Sequence, residues 1–262
     1  MKKLLALALG LGLAGPAALR AQEPQEFKAK FPDRQNPKLT LELRDGTAVV
    51  EAYDGNEVVI RGNGYEAPPK RADGLRPLYS AEDNTRMGLS VTTAEGGLVV
   101  VQASRKKAAF TIRVPRRTAL VYVENSWNKT DLQANDLAGP IELKLRAGSA
   151  RLLNVAGPVV ASGMSGGVTV RFASTATRPE ASSISLISGD LDVTLPTAAK
   201  TTLSLRSMSG EIYTDFDLTP LKGSDNLSRV GGGQTVTGAL NGGGAKMALQ
   251  SISGDIFVRK AK

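Results

Sequence analysis

The sequence predicts an all-β protein, built as a repeat-based β-solenoid that resembles a parallel β-helix. Three observations lead to this prediction: a repeated hydrophobic-Ser-Gly triplet, a step of two between the apolar residues beside it, and no helical apolar spacing after the N-terminal segment. An antiparallel β-sandwich is the alternative, because short strands separated by turn residues also fit that fold.

The triplet occurs four times in the C-terminal half, and its glycines are 23, 21 and 44 residues apart. The copies are Met164-Ser165-Gly166, Ile187-Ser188-Gly189, Met208-Ser209-Gly210 and Ile252-Ser253-Gly254. The last gap is two periods long and Gly232 lies halfway across it, so a fifth copy is expected at Val230–Gly233. Repeats of this length are typical of solenoids, in which each unit packs against its neighbours.

Each copy is predicted to be a corner between two short strands. Apolar or small residues lie seven, five and two positions before the glycine, and mostly apolar ones lie two and four positions after it. The step of two is typical of strands, and the step of three before Ser-Gly interrupts it. Glycine then supplies a backbone conformation that a residue with a Cβ would resist.

The length of the repeat favours a coil over the hairpins of a sandwich. One turn of a coil needs about 22 residues at roughly 3.3 Å per residue. The hairpin signals Asp45-Gly46 and Asp54-Gly55-Asn56 lie upstream of the repeat.

Alternating apolar residues predict strands in the first half as well. The predicted strands cover 39–43, 49–53, 57–61, 89–93, 98–102, 110–114, 120–123 and 141–145. Residues 64–88 lack periodicity and contain Pro68-Pro69, so a long loop is expected there. The Ser-Gly copies are clear only over about 158–262, so the first half is interpreted either as a sheet-like cap or as earlier, less regular coils.

The N-terminal segment has the layout of a secretory signal peptide. Lys2-Lys3 precede an apolar run from Leu4 to Leu13, and small residues lead to Ala21. The predicted organisation is a signal peptide at 1–21 and a single all-β domain at 22–262. The run is shorter than the roughly 20 residues of a membrane span, and no later segment is longer, so no transmembrane span is expected in the mature chain. The expected location is the periplasm, the outer-membrane surface or the extracellular space.

The chain contains neither cysteine nor histidine. Disulfides, thiol catalysis and cysteine-ligated metals are therefore excluded. Catalysis by a Ser-His-Asp triad and histidine-ligated zinc are excluded as well. We accordingly predict no catalytic, cofactor-binding or metal site, and no enzymatic activity.

The formal net charge is +8, and removal of Lys2, Lys3 and Arg20 with the signal peptide leaves 8 − 3 = +5. This balance favours anionic partners such as envelope glycans or other surface components, whereas nucleic acid is not expected for an exported protein. The basic clusters are short, and we interpret them as solvated loops and strand edges. They are Lys70-Arg71, Arg105-Lys106-Lys107, Arg116-Arg117 and Arg259-Lys260 with Lys262.

Carboxylates follow several of the repeat glycines. In parallel coils Asp190 and Glu211 would lie on adjacent coils, about 4.8 Å apart. Their repulsion would need turn amide donors, a basic neighbour or a cation such as Ca²⁺, for which Asp192 would add an oxygen ligand. Amide hydrogen bonding is the preferred interpretation, because the dense glycine and aspartate nonapeptides of calcium-binding β-rolls are missing.

Three aromatic side chains are candidates for stacking on sugar rings if they are exposed, namely Trp127, Tyr65 and Tyr79. Scattered aromatic residues are more often packing residues, so a structural role is the alternative for each of them.

Two early strand patterns and three of the Ser-Gly repeats stand out together. They are Val49 to Arg61, Phe110-Thr-Ile-Arg-Val-Pro115, Ser188-Gly-Asp-Leu-Asp-Val193, Ser209-Gly-Glu-Ile-Tyr-Thr214 and Ser253-Gly-Asp-Ile-Phe-Val258. In this combination the chain resembles the bacterial putative-adhesin domain family. The resemblance covers most of the mature chain. It implies a β-solenoid-like exported protein of the cell envelope and brings no catalytic motif with it. The expected function is therefore a non-catalytic envelope protein with a structural or adhesin-like role. The alternative is a β-helix enzyme that binds or cleaves polysaccharide, using Arg, Lys or paired carboxylates in place of histidine.

Overall fold

The computed structural model describes residues 25–63, 69–75, 78, 81–94, 96–220, 228–230 and 233–262. In these ranges the chain forms strands and one short 3₁₀ helix, with no α-helix, so the all-β prediction is confirmed. No helix of the described ranges has the length and apolar character that crossing a membrane requires. The signal peptide predicted at 1–21, Tyr65, Tyr79 and Gly232 lie outside the described residues.

The strands of the first half are β1 (Gln25–Lys30), β2 (Lys38–Leu43), β3 (Gly46–Tyr53), β4 (Glu57–Asn63), β5 (Leu89–Ala94), β6 (Gly97–Gln102), β7 (Ala108–Pro115), β8 (Ala119–Glu124), β9 (Thr130–Asn135), β10 (Ile141–Leu145) and β11 (Ala150–Val155). All the strands predicted there are present. The 3₁₀ helix Lys70–Ala72 lies in the segment predicted to be a long loop.

The strands of the second half are β12 (Val159–Gly163), β13 (Val168–Phe172), β14 (Ser182–Ser188), β15 (Leu191–Leu195), β16 (Thr201–Ser207), β17 (Ile212–Thr214), β18 (Thr219–Pro220), β19 (Ser228–Val230), β20 (Gly233–Leu240), β21 (Lys246–Ser253) and β22 (Ile256–Lys260).

The strands form two large sheets. The ten-stranded sheet has the order β1-β4-β7-β3-β9-β11-β13-β15-β22-β17. The twelve-stranded sheet has the order β18-β20-β16-β21-β14-β12-β10-β8-β2-β6-β5, and β19 pairs with β20 beside this path. The two-sheet arrangement is that of the sandwich alternative, whereas most of the strand pairs are parallel, as in a coil.

Below, a strand of the twelve-stranded sheet and the strand that follows it in the ten-stranded sheet are together called a rung. In spatial order the rungs are β6/β7, β2/β3, β8/β9, β10/β11, β12/β13, β14/β15, β21/β22 and β16/β17. The first half of the chain therefore continues the rungs of the second half and does not form a separate cap. Asp45-Gly46, which resembles a hairpin turn in sequence, joins the two sheets at a corner of rung β2/β3.

The order of the rungs along the chain differs from their order in space at both ends. β21/β22, the last rung of the chain, lies between β14/β15 and β16/β17. The expected fifth repeat at Val230–Gly233 is wrong, because β20 begins at Gly233 and runs antiparallel to β16 and to β19. This segment closes the end of the twelve-stranded sheet and then returns the chain to the inner position of β21.

The core lies between the two sheets, where alternate side chains of the rungs form buried rows. One row crosses the twelve-stranded sheet as Val100, Leu41, Tyr122, Leu143, Ala161, Ile184, Leu249 and Leu205. A row of the ten-stranded sheet faces it as Ile112, Val50, Ala134, Leu152, Val170, Val193 and Val258. A rung alone would expose this apolar surface, so neighbouring rungs are needed to bury it.

Candidate functional site

The corner glycines stack in a column along one edge of the molecule. In spatial order the column contains Gly148, Gly166, Gly189, Gly254 and Gly210. A Cβ on Gly189 would lie 2.2 Å from the carbonyl oxygen of Gly166, and one on Gly210 would lie 2.1 Å from that of Gly254. Gly210 has no positive φ, so the close approach of successive backbones, and not only backbone conformation, requires glycine at these corners.

The carboxylates beyond the corner also form a column, but not the predicted one. Asp255 lies between Asp190 and Glu211, so the expected adjacency of Asp190 and Glu211 is wrong. The reason is the insertion of rung β21/β22, which a repeat count along the chain does not reveal.

Backbone amides compensate the charge of this acidic column. Oδ1 of Asp190 accepts the N–H of Asp255 at 2.9 Å, and Oδ1 of Asp255 accepts the N–H of Glu211 at 2.8 Å. Asp131, at the same position of rung β8/β9, accepts the N–H of Ser149 at 3.0 Å. Each carboxylate thus hydrogen-bonds the next rung, as in the preferred interpretation from sequence.

Asp192, which the sequence suggests as an oxygen ligand of a cation, is paired with a basic side chain. Arg259 Nε donates to both carboxylate oxygens of Asp192, at 3.1 and 3.2 Å. Within the described ranges no three acidic side chains are grouped closely enough to hold a metal ion.

Polar side chains are buried at the inner side of the corners, in the last core position of several rungs. Glu124 is 1% exposed, and its carboxylate accepts the N–H groups of Thr130 at 3.1 Å, Ala147 at 2.9 Å and Gly148 at 3.0 Å. A buried carboxylate surrounded by backbone donors is stabilised by charge-assisted hydrogen bonds. Glu124 therefore fixes the corner of its own rung and that of the next one.

Uncharged polar side chains occupy the same position in other rungs. The Ser251 hydroxyl donates to the carbonyl of Gly189 at 3.1 Å, and the Ser207 hydroxyl donates to that of Gly254 at 3.0 Å. In rung β6/β7, Gln102 Oε1 accepts the N–H of Arg44 at 2.8 Å. These contacts satisfy corner groups that would otherwise be buried without partners.

The phenol of Tyr122 lies in the core beside these corners. Its hydroxyl donates to the carbonyl oxygen of Thr130 at 3.3 Å. Burial raises the pKa of Tyr122, and the negative charges of Glu124 and Asp131 raise it further. Tyr122 therefore stays neutral across the physiological pH range and acts as a packing residue.

The hydrophobic residue of each Ser-Gly triplet points outward. The core alternation continues to the third position before the glycine, which is occupied by Gly163, Leu186, Ser207 and Ser251. The second position, which sequence reasoning grouped with the apolar pattern, therefore lies on the other side of the strand. Met164, Ile187, Ile252 and Met208 are between 38 and 49% exposed.

These four side chains form a continuous row, here called the apolar ridge. Leu186 and Ser207 both pair with Ser251, one on each side of β21. The residues that follow them, Ile187, Ile252 and Met208, therefore lie side by side. The N–H of Ser188 donates to the carbonyl of Met164 at 3.0 Å and so places Met164 next to Ile187. At about 4.8 Å between strands, the ridge is about 15 Å long.

One end of the apolar ridge continues into Arg146 and Trp127. The N–H of Ser165 donates to the carbonyl of Arg146 at 2.9 Å, so Arg146 is the neighbour of Met164 in the preceding rung. Its guanidinium lies 5.8 Å from the ring centroid of Trp127, which is 61% exposed. Trp127, a sequence candidate for ligand contact, thus lies on the surface beside the apolar ridge.

A second exposed aromatic group lies on the outer face of the ten-stranded sheet. The rings of Tyr213 and Phe257 are stacked with centroids 5.2 Å apart and planes inclined by 10°. Sequence reasoning missed this pair, because its members are 44 residues apart and become neighbours only when rung β21/β22 inserts.

Three of the basic clusters are exposed outside the strands, as expected, whereas Arg259 and Lys260 belong to β22, an inner strand of the ten-stranded sheet. Arg105, Lys106 and Lys107 are exposed at the corner of rung β6/β7. Arg116 and Arg117 line, with Arg34, a surface depression of about 720 Å³ at the other edge. Arg259 is paired with Asp192, and the Lys260 ammonium lies 5.5 Å from the ring centroid of Phe216.

No protein-family model matches the chain, and a search of curated proteins also gives no match. Among solved structures, a putative cell adhesion protein from Clostridium sporogenes is 10% identical, with a TM-score of 0.46, over 91% of this chain and 100% of that chain. A putative adhesin from Bacteroides fragilis is 11% identical, with a TM-score of 0.38, over 90% and 97%. A putative lipid binding protein from Parabacteroides distasonis is 9% identical, with a TM-score of 0.27, over 92% and 98%.

At these identities and TM-scores, the likeness carries no argument about what the chain binds. The similar solved structures include proteins described as a putative cell adhesion protein and as putative adhesins.

Proposed function

We propose that the chain is an exported, non-catalytic protein of the bacterial cell envelope with a structural or adhesin-like role. Its expected location is the periplasm, the outer-membrane surface or the extracellular space. The observation that carries the proposal is the apolar ridge of Met164, Ile187, Ile252 and Met208. Single exposed apolar side chains are common, whereas a contiguous row of them is typical of an interaction surface.

The scaffold beneath the ridge is proposed to be a β-solenoid. Parallel pairing of successive rungs in both sheets supports this, as does the column of corner glycines. Such a scaffold repeats one side-chain position at about 4.8 Å intervals, so a single favourable contact is multiplied along the edge. The ridge is an example, because one position of the triplet supplies all four of its members.

The charge of the chain supports an anionic surface component as the partner. The formal net charge without the predicted signal peptide is 8 − 3 = +5, and Arg146 with the exposed Trp127 extends the apolar ridge at one end. A guanidinium beside an indole can contact an anionic group while the apolar side chains lose water. Envelope glycans that carry acidic groups have this combination.

The alternative of a polysaccharide-cleaving enzyme has less support from the corner geometry. Glycoside hydrolysis commonly requires two carboxyl groups that face a glycosidic bond. Asp190 and Asp255 each accept a backbone N–H from the next rung, which gives them a structural role.

Binding to envelope preparations from a Gram-negative bacterium tests the proposal. We expect the purified protein to co-sediment with the preparation, and the Ile187→Ser/Ile252→Ser variant to lose most of the bound fraction. Val160→Ser is the matched control, because Val160 is 50% exposed on β12, four residues before the ridge. Equal binding by the ridge variant, or release of soluble sugar from the envelopes by the protein, would contradict the proposal.

A further inference from the structure

The outer face of the ten-stranded sheet holds a stacked group, here called the aromatic platform, made of Tyr213, Phe257, Arg259 and Asp192. Tyr213 pairs with Phe257 in register, and Phe257 pairs with Asp192 on its other side. Ile256 and Val258 flank Phe257 in sequence and are fully buried, so the Phe257 ring points to the outside. None of these four residues belongs to the apolar ridge.

Two side chains pack on the Phe257 ring. The Tyr213 ring stacks on it at 5.2 Å, and the Arg259 guanidinium lies over it at 5.0 Å from the centroid. Arg259 is held by the carboxylate of Asp192, which belongs to β15, whereas Tyr213 belongs to β17 on the opposite side of β22. Phe257 therefore supports the Tyr213 ring within the stack.

Tyr213 is the outermost member of the aromatic platform. β17 is the last strand of the ten-stranded sheet, so no strand of that sheet covers the ring face that points away from Phe257. Tyr213 is 50% exposed, and its hydroxyl makes no hydrogen bond to another described residue. The stack therefore supports the ring from behind, and among the described residues its other face and its hydroxyl remain available to a ligand.

Carboxylates lie along one side of the platform. Asp190, Asp255 and Glu211 lie at the corner directly before β15, β22 and β17, two residues before Asp192, Phe257 and Tyr213. Each of the Asp190 and Asp255 carboxylates uses Oδ1 for a backbone N–H. A carboxylate can accept hydroxyl hydrogen bonds through its second oxygen, and it repels an anionic ligand.

We infer that the aromatic platform is a binding site for neutral pyranose glycans. The apolar C–H face of a pyranose ring packs on the open face of Tyr213, and its hydroxyls bond to the Tyr213 hydroxyl and the neighbouring carboxylates. The inference goes beyond the proposed function, since it assigns a ligand to a second surface that does not depend on the apolar ridge. Because the stack already holds the Tyr213 ring in place, less conformational entropy is lost when a ligand binds.

Calorimetric titration with cellohexaose, chitohexaose and hexagalacturonate tests this assignment. We expect at least one of the two neutral oligosaccharides to bind, and Tyr213→Leu to weaken its affinity by about tenfold. Tyr213→Phe should retain most of the affinity, because the ring face remains. Hexagalacturonate should bind more weakly than the neutral probes.

Three controls separate binding at the platform from binding elsewhere on the surface. Trp127→Ala and the ridge variant Ile187→Ser/Ile252→Ser should bind the neutral probes as the unmodified protein does. Glycan binding at the platform can therefore be confirmed or rejected even if the apolar ridge does not bind envelopes. Saturation-transfer NMR on the unmodified protein should show the sugar C–H protons against an aromatic ring, and it needs no substituted chain. Absence of binding by both neutral probes, equal binding by Tyr213→Leu, or preference for hexagalacturonate would overturn the inference.

Discussion

Oδ1 of Asp255 accepts the backbone N–H of Glu211 at 2.8 Å, although the two residues are 44 positions apart in the chain. The hydrogen bond exists because the last rung, β21/β22, lies between two rungs that precede it in sequence. The same insertion places Ile252 within the apolar ridge and Phe257 against Tyr213. Both proposed surfaces therefore depend on the placement of this rung.

Removal of the last rung should abolish cooperative folding. A chain that ends at residue 244 lacks β21 and β22, so β14 and β16 lose the strand that both pair with. We expect no cooperative thermal transition by circular dichroism, and association through the exposed strand edges. Removal of β1 is the control, because β4 is its single partner among the described strands. A chain ending at 244 that melts at the same temperature as the full protein would show that the rung is dispensable.

Substitution of a stacked corner glycine should be more destabilising than substitution of an open one. A Cβ at Gly210 would lie 2.1 Å from the Gly254 carbonyl oxygen, so Gly210→Ala should lower the free energy of unfolding by at least about 2 kcal/mol. Gly242→Ala is the comparison, since Gly242 has a φ of +87° but no heavy atom within 4 Å of a built Cβ. Its cost should be only about 1 kcal/mol. Urea denaturation of both variants measures the difference, and a larger loss at Gly242 would mean that backbone conformation outweighs stacking.

Replacement of the buried Glu124 carboxylate should destabilise the corner. Glu124→Gln places amide hydrogens against the N–H groups of Ala147 and Gly148, so the free energy of unfolding should fall by about 2–3 kcal/mol. Glu142→Gln is the matched control, because Glu142 forms an exposed ion pair with Lys144 and should change stability by about 0.5 kcal/mol or less. Similar midpoints for the two variants in chemical denaturation would contradict the structural role of Glu124.

Alkaline pH should destabilise the protein through Tyr122. Its pKa is raised in the folded state, so the phenol ionises more readily in the unfolded chain. The stabilising contribution is complete below the unfolded-state pKa of about 10 and declines as the pH rises above it. In Tyr122→Phe, the fall in melting temperature between about pH 9 and 11 should be smaller than in the unmodified protein. Absorbance difference spectra near the tyrosinate band provide a second readout, and parallel pH profiles would show that other groups cause the loss.

Alternation predicted the strands whose inward positions are strongly apolar. Leu39, Leu41 and Leu43 identify β2, and Phe110, Ile112 and Val114 identify β7. The alternation does not predict β9, because Leu132 and Ala134 are its only apolar residues. In a stacked sheet a weakly apolar strand is stabilised by its neighbours, so its own sequence carries a weak signal.

The orientation of the Ser-Gly triplet was missed for a related reason. Ser207 and Ser251 occupy buried positions directly before Met208 and Ile252, and a serine gives no apolar signal for the core. Their hydroxyls bond to corner carbonyls, which makes burial favourable. Sequence reasoning consequently assigned the outward methionine and isoleucine to the apolar pattern and overlooked the apolar ridge.

The sequence by itself determined the all-β class, the corner glycines and the absence of cysteine and histidine chemistry, because these follow from local conformation and residue type. Only the tertiary structure decided the order of the rungs, and with it the neighbours of Asp190, Glu211, Ile252 and Tyr213. Every rung carries a similar apolar pattern, so the pattern specifies that rungs stack but does not specify which rung lies beside which. The physical reason is that parallel pairing and apolar burial are nearly equivalent for any two rungs, whereas the antiparallel β20 and the turn after it determine where the last rung enters.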